Sequence, residues 1–392
     1  MIPSNPASAL PAEPATPDPR SSTVLVPYPP GTRLPTQWPC WLDSACAQLS
    51  PADPVLHFHV DAQGRHPSPR DHDPQAWPGA HRPAHGATRT AWTVPLVARG
   101  AQGVLTPPGA LETGEPADLA WRDAASAQHL ARTLARQRRA LQLPRVPLGS
   151  PSVHALARAF RGRGWVRVRA AHGAPCIELD PGWAQPLQQF NAGRQSDFRR
   201  AHRRAEQAGH VQFEVHAPAP GPTLERLMDE AYAVESRSWK GDSGTALAAD
   251  PALGPFYRRL AHAAAQGGHL RLCFLRIAGQ AAAMQLALQG EGRFWLMKIG
   301  YDAAYARCSP GQLLMLHTIG HAAAQGLRSY EMLGNAAAWT AGWTRTLRPF
   351  VRVNAYPASW PGARALFADA SRALWARWQA RSAAPEALGA PA

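Results

Sequence analysis

Three short β-rich runs, 269–277, 281–288 and 293–300, constrain this chain more than anything else in its 392 residues. The connectors between them, Ala278-Gly279-Gln280 and Gln289-Gly290-Glu291-Gly292, are of hairpin length, so consecutive runs pair antiparallel. The third run passes through a short loop into Ser309-Pro310-Gly311. A helix from about Gln312 to Gln325 follows, stopped by Gly326. Arg328 to Leu333 and Leu347 to Tyr356 read as two more strands. Upstream, the sequence predicts three helices. One is capped by Ser196 and runs to Gly209. The second is capped by Thr223 and carries Leu224, Leu227, Met228, Ala231 and Val234 at helical spacing. The third runs from Pro255 to Gln266 and ends at Gly267-Gly268. The order over 186–357 is helix, helix, helix, three antiparallel strands, helix, strand, strand, which predicts an α/β (α+β) domain built on a mixed sheet.

The first half has weaker patterning. Leu56 to Val60 and Thr90 to Val97 read as strands, with a long loop over 62–89 between them. A helix is expected over 124–141, another from a Ser150 or Ser152 cap to about 162, and a strand at Trp165 to Arg169. The expected division is a disordered tail at 1–20, an α/β half at 21–185, a second domain at 186–372 and a C-terminal tail at 373–392. Residues 1–20 are rich in Pro, Ala and Ser and have too few large apolar groups to offset the entropy of ordering.

Hydrophobic residues make up 45% of the chain, enough for a sizeable core. The formal net charge of +14 suits anionic partners: phosphate groups, nucleic acid or a membrane surface. The five cysteines are odd in number and lack C-x-x-C spacing, which argues against a disulfide framework or a zinc site, and no metal is expected. No zinc-finger spacing occurs, and no DNA partner is expected. The first residues lack the basic and apolar regions of a signal peptide, and no run of about 18 apolar residues is present, so a cytoplasmic location is expected.

The chemistry-bearing stretch is Trp295-Leu296-Met297-Lys298-Ile299-Gly300-Tyr301-Asp302, followed by Tyr305-Ala306-Arg307-Cys308-Ser309-Pro310-Gly311-Gln312-Leu313-Leu314. A strand runs into a loop that opens a helix. The first amides of a helix lack internal partners and its dipole is positive there, so such an end suits an anion, above all a phosphate. Ser309 offers a hydroxyl, Pro310 fits the first turn, Gly311 leaves room at the backbone and Arg307 adds charge. The same residues also read as an ordinary capped helix after a strand. Neither a Walker A loop nor a G-x-G-x-x-G fingerprint is present.

In element order and in these motifs the chain resembles the GNAT acyltransferases, and more narrowly the CelD/BcsL-like acetyltransferases linked by name to cellulose biosynthesis. The matching pieces are Arg194-x-Ser196-Asp197-Phe198-Arg199-Arg200, Glu235-Ser236-Arg237-Ser238-Trp239-Lys240-Gly241, Lys298-Ile299-Gly300-Tyr301-Asp302, Ser309-Pro310-Gly311-x-Leu313-Leu314 and Glu331-Met332-Leu333-Gly334. Asp118-Leu119 and the helix start at Ser150–Ser152 match more loosely. The resemblance implies a GNAT fold with two GNAT-like halves, as in Fem-type transferases, the first of them degenerate. It also implies acetyl-CoA or another acyl-CoA as co-substrate and a small-molecule, saccharide or amine acceptor. The pantetheine would lie along Met297, Lys298 and Ile299, and the pyrophosphate at Arg307, Ser309, Pro310, Gly311, Gln312 and Leu313. Many relatives carry a Tyr-Lys pair after the strand corresponding to Glu331; here Trp339-Thr340 and Trp343-Thr344 stand in that region.

A reaction of this kind needs a base for the acceptor and donors for the thioester oxyanion. Glu331 is the expected base and Asp302 the second candidate. Glu235 could orient substrate, or pair with Arg237 or Lys240. Tyr301 or Tyr305 could protonate the leaving thiolate. Arg199, Arg200, Arg203 and Arg204 form a basic row on one helix, read as a solvated face or a phosphate contact. Cys308 has no His/Asp partners in the sequence to make it a nucleophile. Two other readings stay open: a Fem-like transferase using aminoacyl-tRNA, and a GNAT scaffold without activity.

Overall fold

A computed structural model describes residues 23–60, 92–238 and 247–382. The tail expected at 1–20, the loop at 62–89, Trp239, Lys240 and the end of the C-terminal tail (383–392) lie outside the described residues.

The strands are β1 (Val24–Leu25), β2 (Val55–Val60), β3 (Trp92–Arg99), β4 (Val104–Thr106), β5 (Leu141–Pro147), β6 (Gly164–Glu178), β7 (Val211–His216), β8 (Leu270–Ile277), β9 (Gln280–Gly290), β10 (Arg293–Tyr301), β11 (Ser329–Glu331) and β12 (Thr346–Pro357). The helices of more than one turn are α1 (Pro39–Gln48), α2 (Ala124–Arg136), α3 (Pro151–Ala159), α4 (Ala192–Ala208), α5 (Pro222–Ser236), α6 (Leu253–Gln266), α7 (Pro310–Ala324) and α8 (Trp360–Ser382).

All twelve strands join one mixed sheet, ordered β2-β3-β4-β5-β12-β6-β11-β10-β9-β8-β7, with β1 beside β12. The expected meander is present: β8 pairs with β9 and β9 with β10, both antiparallel. The two halves share strands. β12, from the end of the chain, inserts between β5 and β6 of the first half. β6 pairs through residues 164–175 with β12 and through 176–178 with β11, so this one long strand joins both halves. The sequence predicts only Trp165 to Arg169 of it, because Ala170-Ala171-His172-Gly173-Ala174-Pro175 has no apolar alternation to read.

Three other boundaries differ from expectation. Asn191, not Ser196, caps α4 through its side-chain oxygen on the Arg194 N–H at 2.9 Å, and Ser196 lies exposed inside the helix. Pro222 opens α5 after Gly221, so Thr223 is already helical. The helix expected over 124–141 ends at Arg136, and Leu141 begins β5. Ser150 does cap α3, and its hydroxyl also donates to buried Asp118, which accepts from the Leu119 N–H at 2.7 Å and the Trp121 indole at 3.0 Å. Burial raises the Asp118 pKa against these hydrogen bonds.

The second half of the sheet has one core on each face. One core packs α5 and α6 against β8–β10, and α1 of the first half enters it: Trp41 meets Phe256 edge-on at 5.0 Å. The opposite core holds α4 and α7. α2 and α3 cover the first half. Because one core contains residues from both ends of the chain, the halves are welded by burial and not merely tethered.

Candidate active site

β10 and β11 run parallel for only three pairs, Arg293–Ser329, Phe294–Tyr330 and Trp295–Glu331. Beyond Trp295 the ladder with β11 ends, while β10 stays paired with β9 to Tyr301. The sheet therefore opens into a wedge whose first wall is the stretch of β10 past its last pair with β11, Met297 to Tyr301. A strand that outruns its neighbour can add an extended polar chain along that side. A register shift between Leu296 and Lys298 marks a bulge at Met297. Bulges re-aim side chains: Trp295 and Met297 enter the α5/α6 core, and the next residue, Lys298, lies on that same side with its ammonium 4.7 Å from the Tyr257 ring centroid. Gly300 permits α5 to approach, since a Cβ there would stand 3.0 Å from Glu235 Cα.

At the end of the wedge, a 3-10 turn over Ala303–Cys308 leads to α7. Ser309 sits in the left-handed region (φ 48°, ψ 50°), which turns its carbonyl back onto its own helix. That carbonyl accepts from the Gln312 and Leu313 N–H groups at 3.0 and 3.2 Å, while the Ser309 N–H donates to Ala306 at 3.0 Å. The expected row of free amides is thus reduced. Pro310 has no N–H, and among the described residues only Gly311 of this group has an amide with no backbone acceptor outside its own helix. The positive charge around the loop comes from side chains. The Arg194 Nη2 donates to Gln312 Oε1 at 2.9 Å, the Arg204 Nη1 to the Arg307 carbonyl at 3.4 Å, and Arg307 ends the turn. Part of the basic row on α4 therefore meets the loop. Arg199 and Arg200 bond Gln195 and Asp197 on their own helix. A Cβ on Gly311 would meet only Tyr301, at 3.8 Å.

The expected acid–base residues are brought near the wedge but are held in other bonds. Glu331 is buried, 1% exposed, at the last β10–β11 pair. It accepts from Arg348 (Nη2 at 2.7 Å, Nε at 3.1 Å), the Ser329 hydroxyl at 2.6 Å and the Tyr28 hydroxyl at 3.2 Å, with the Arg293 Nε 3.6 Å away. Both oxygens are occupied, so this carboxylate has no lone pair turned toward an acceptor. The sequence could not show this, because Arg348 and Tyr28 come from opposite ends of the chain. Burial works against the charge of Arg348, and the bonds and charge of Glu331 more than offset it, holding its pKa above the usual value. Burial beside Glu331 likewise raises the Tyr28 phenol. Asp302 caps the Ala304 N–H at 2.9 Å and pairs with Arg237 at 2.5 Å, pinning the turn to the end of α5. Glu235 is buried and accepts from the Leu247 N–H at 2.9 Å, while Arg237 pairs with Asp302; Lys240, the other expected partner of Glu235, lies outside the described residues. Tyr301 is half-buried against Gly311, near the loop end of the wedge, and Cys308 is buried. Trp343 packs on Phe190, Phe198 and the Arg194 guanidinium, tying the segment after β11 to α4.

A second polar group at the wedge involves residues that sequence reasoning missed. Glu115, 6% exposed, comes from the first half, and Tyr257 from α6. Burial raises the Glu115 carboxyl above the usual carboxylate range, opposed by the charges of Lys298 and Arg145 and by the Gly334 amide. Burial, then Glu115 and Glu235, raises the Tyr257 phenol. The Glu115 Oε2, Tyr257 hydroxyl and Arg145 Nε are buried without hydrogen-bond partners among the described residues. The Arg145 Nη2 donates to the Gly334 carbonyl at 2.6 Å, just past β11. No local motif marks Glu115 or Tyr257; the only sequence signal is a charged residue flanked by structure-breaking neighbours, Gly114-Glu115-Pro116.

A groove of about 650 Å³ lined by Phe198, Arg199, His202, Leu313 and His317 lies off the wedge along α4 and α7 and holds none of these groups. No described helix is long and apolar enough to cross a membrane.

Residues 192–340 match the family model described as an acetyltransferase (GNAT) domain, a range that contains β10, the wedge and the start of α7. No curated protein matches the chain. Among solved structures, FemX is similar at 9% identity, covering 83% of this chain and 92% of that one with a TM-score of 0.51, a likeness of fold. A conserved protein of unknown function from Bacteroides thetaiotaomicron is similar at 12% identity (67% and 82% covered, TM-score 0.42). A tandem GNAT protein from the clavulanic acid biosynthesis pathway is similar at 15% (68% and 79%, TM-score 0.34). Residues 192–340, which hold the wedge and the strand-to-helix loop, are thus similar to a GNAT acetyltransferase domain and are set within a larger mixed α/β fold.

Proposed function

We propose that the protein is a cytoplasmic acyl-CoA-dependent acyltransferase that moves an acyl group, acetyl or longer, to an amine or hydroxyl acceptor. The observation that carries this reading is a strand, β10, that runs past its last pair with β11 straight to an arginine-flanked helix start. The pantetheine would hydrogen-bond along Met297–Ile299 as an added strand, and the pyrophosphate would meet the Gly311 amide with Arg194, Arg204 and Arg307 around it. The finer CelD/BcsL-like likeness belongs to this proposal, on the positions of its motifs. So does the reading of the first half as a degenerate GNAT-like unit.

Acceptor activation goes to Glu115. It has an unengaged buried oxygen and a raised pKa, and it stands beside Lys298 on the cofactor strand. In the reaction the acceptor nitrogen or oxygen bonds the thioester carbonyl carbon, Glu115 takes the proton that the acceptor loses, and the C–S bond breaks to release the thiolate. The Tyr257 hydroxyl, without a partner among the described residues, would return a proton. Glu331, Asp302 and Glu235 are assigned to holding the wedge open.

The test is calorimetry of the purified full chain with acetyl-CoA, a longer acyl-CoA and free CoA. Micromolar or tighter binding of an acyl-CoA is the expected result. A folded protein that binds no acyl-CoA but binds charged tRNA with steep salt dependence would replace this reading with the aminoacyl-tRNA one. Binding neither would leave an inactive scaffold.

A further inference from the structure

We propose that the outer face of α8, together with the strand face beside it, is a docking surface for a bilayer containing anionic phospholipid. α8 has two apolar faces. The inner one packs Ala365 and Leu366 against Ala140, Val104 and Tyr356. The outer one presents Trp360, Phe367 and Leu374, exposed by 76%, 72% and 65%, with Trp375 beside them at 61%. Residues seven apart on a helix drift by only about 20°, so the first three form one stripe, directly opposite the packed face. Nothing among the described residues covers it. The patch continues onto the sheet. Trp165, 60% exposed, lies across the ladder from Tyr356, whose hydroxyl bonds Asp369 of α8 at 2.7 Å. Trp165 therefore stands on the helix side of the sheet. A cluster of exposed large side chains of this kind marks an interaction surface.

The charges select the partner. Arg364 and Arg372 are exposed on α8. The one acid of the helix, Asp369, bonds Tyr356, Asn354 and Arg167, with the Arg372 Nη2 4.0 Å from its other oxygen. On the same side of the sheet as Trp165, Arg169 and Arg352 stand directly opposite each other. Like charges in that position repel, and an anionic surface relieves them. A second copy of the chain would bring the same arginines face to face, so self-association is disfavoured. Indole and aliphatic groups flanked by arginines are the composition of a helix that lies in the lipid headgroup region without spanning the bilayer. The stripe from Trp360 to Leu374 is about 21 Å long.

The surface lies away from β10 and α7, so the proposal stands whether or not acyl-CoA binds. The test is flotation of the full chain with phosphatidylcholine vesicles, with and without about 30% phosphatidylglycerol. Wild type should bind the anionic vesicles at least about tenfold more tightly than the neutral ones, and raised salt should weaken that binding. The double variant Phe367→Ala, Trp375→Ala should lose about tenfold or more, and Arg364→Glu, Arg372→Glu a similar amount, with unchanged circular dichroism spectra and acetyl-CoA response. No binding to anionic vesicles, or binding that ignores both double variants, overturns the proposal. So does a face that proves to serve only a dimer or an RNA, seen as concentration-dependent self-association or RNA binding removed by the same variants.

Discussion

Glu331→Gln is expected to cost about 3–5 kcal/mol of folding stability, a large part of a margin that is commonly about 5–15 kcal/mol. Glu331 and Arg348 are each 1% exposed, and Arg348 also donates to Glu178 and to the Val26 carbonyl at 3.1 Å. One guanidinium thus ties β1, β6, β11 and β12 at the point where the two halves meet. Glutamine keeps the shape but removes the charge, leaving buried Arg348 with Glu178 as its remaining carboxylate and the nearby Arg293 without its counter-charge. Taking out one partner of a buried pair is worse than taking out both, so Glu331→Leu with Arg348→Met should recover much of the loss. Urea titration of wild type and the two variants measures it. A Glu331→Gln protein of wild-type stability whose turnover falls about 100-fold or more would instead restore Glu331 as the base.

Glu115→Gln is expected to lower turnover by about 10²–10⁴ while acetyl-CoA affinity stays within about twofold. The readout is thiol release from acetyl-CoA on the amine or alcohol that the wild type uses fastest. Glutamine matches the side chain in size, and the wild-type carboxyl already sits in a site that disfavours its charge, so the fold should tolerate the change. The pH profile separates a base from a strut. A raised pKa means that the wild-type rate falls as pH drops through a value above the usual carboxylate range, because the protonated carboxyl cannot accept a proton. In Glu115→Gln that limb should vanish. A variant that keeps both the rate and the limb would remove Glu115 from the chemistry.

The meander β8–β10 was legible because its periodicity is clean and its connectors are hairpin-sized. The strand–loop–helix at Ser309 was legible because Pro310 and Gly311 punctuate it. What was not legible falls into two kinds. Some elements lack contrast. The second half of β6 is a run of small residues, and the α8 pattern is blurred because it carries apolar side chains on both its packed and outer faces. The other kind is convergence over long range. Ser309 looks like a donor of free amides until its left-handed backbone turns its carbonyl onto Gln312 and Leu313. Glu331 looks like a base until Tyr28 and Arg348 arrive from the two ends of the chain. Glu115 and Tyr257 carry no motif and acquire meaning only because the fold places both near Lys298.

The most direct test of the central claim is calorimetric titration of acetyl-CoA into wild type and Gly311→Val. The backbone at Gly311 is not in the left-handed region, and the nearest atom to a new Cβ is Tyr301 at 3.8 Å, so valine should fold without strain. Its side chain would instead fill the space beside the one amide left for the pyrophosphate. The account predicts a loss of at least about tenfold in affinity, about 1.4 kcal/mol, with unchanged thermal stability. Equal affinities for the two proteins would contradict it and place the cofactor away from the β10–α7 loop.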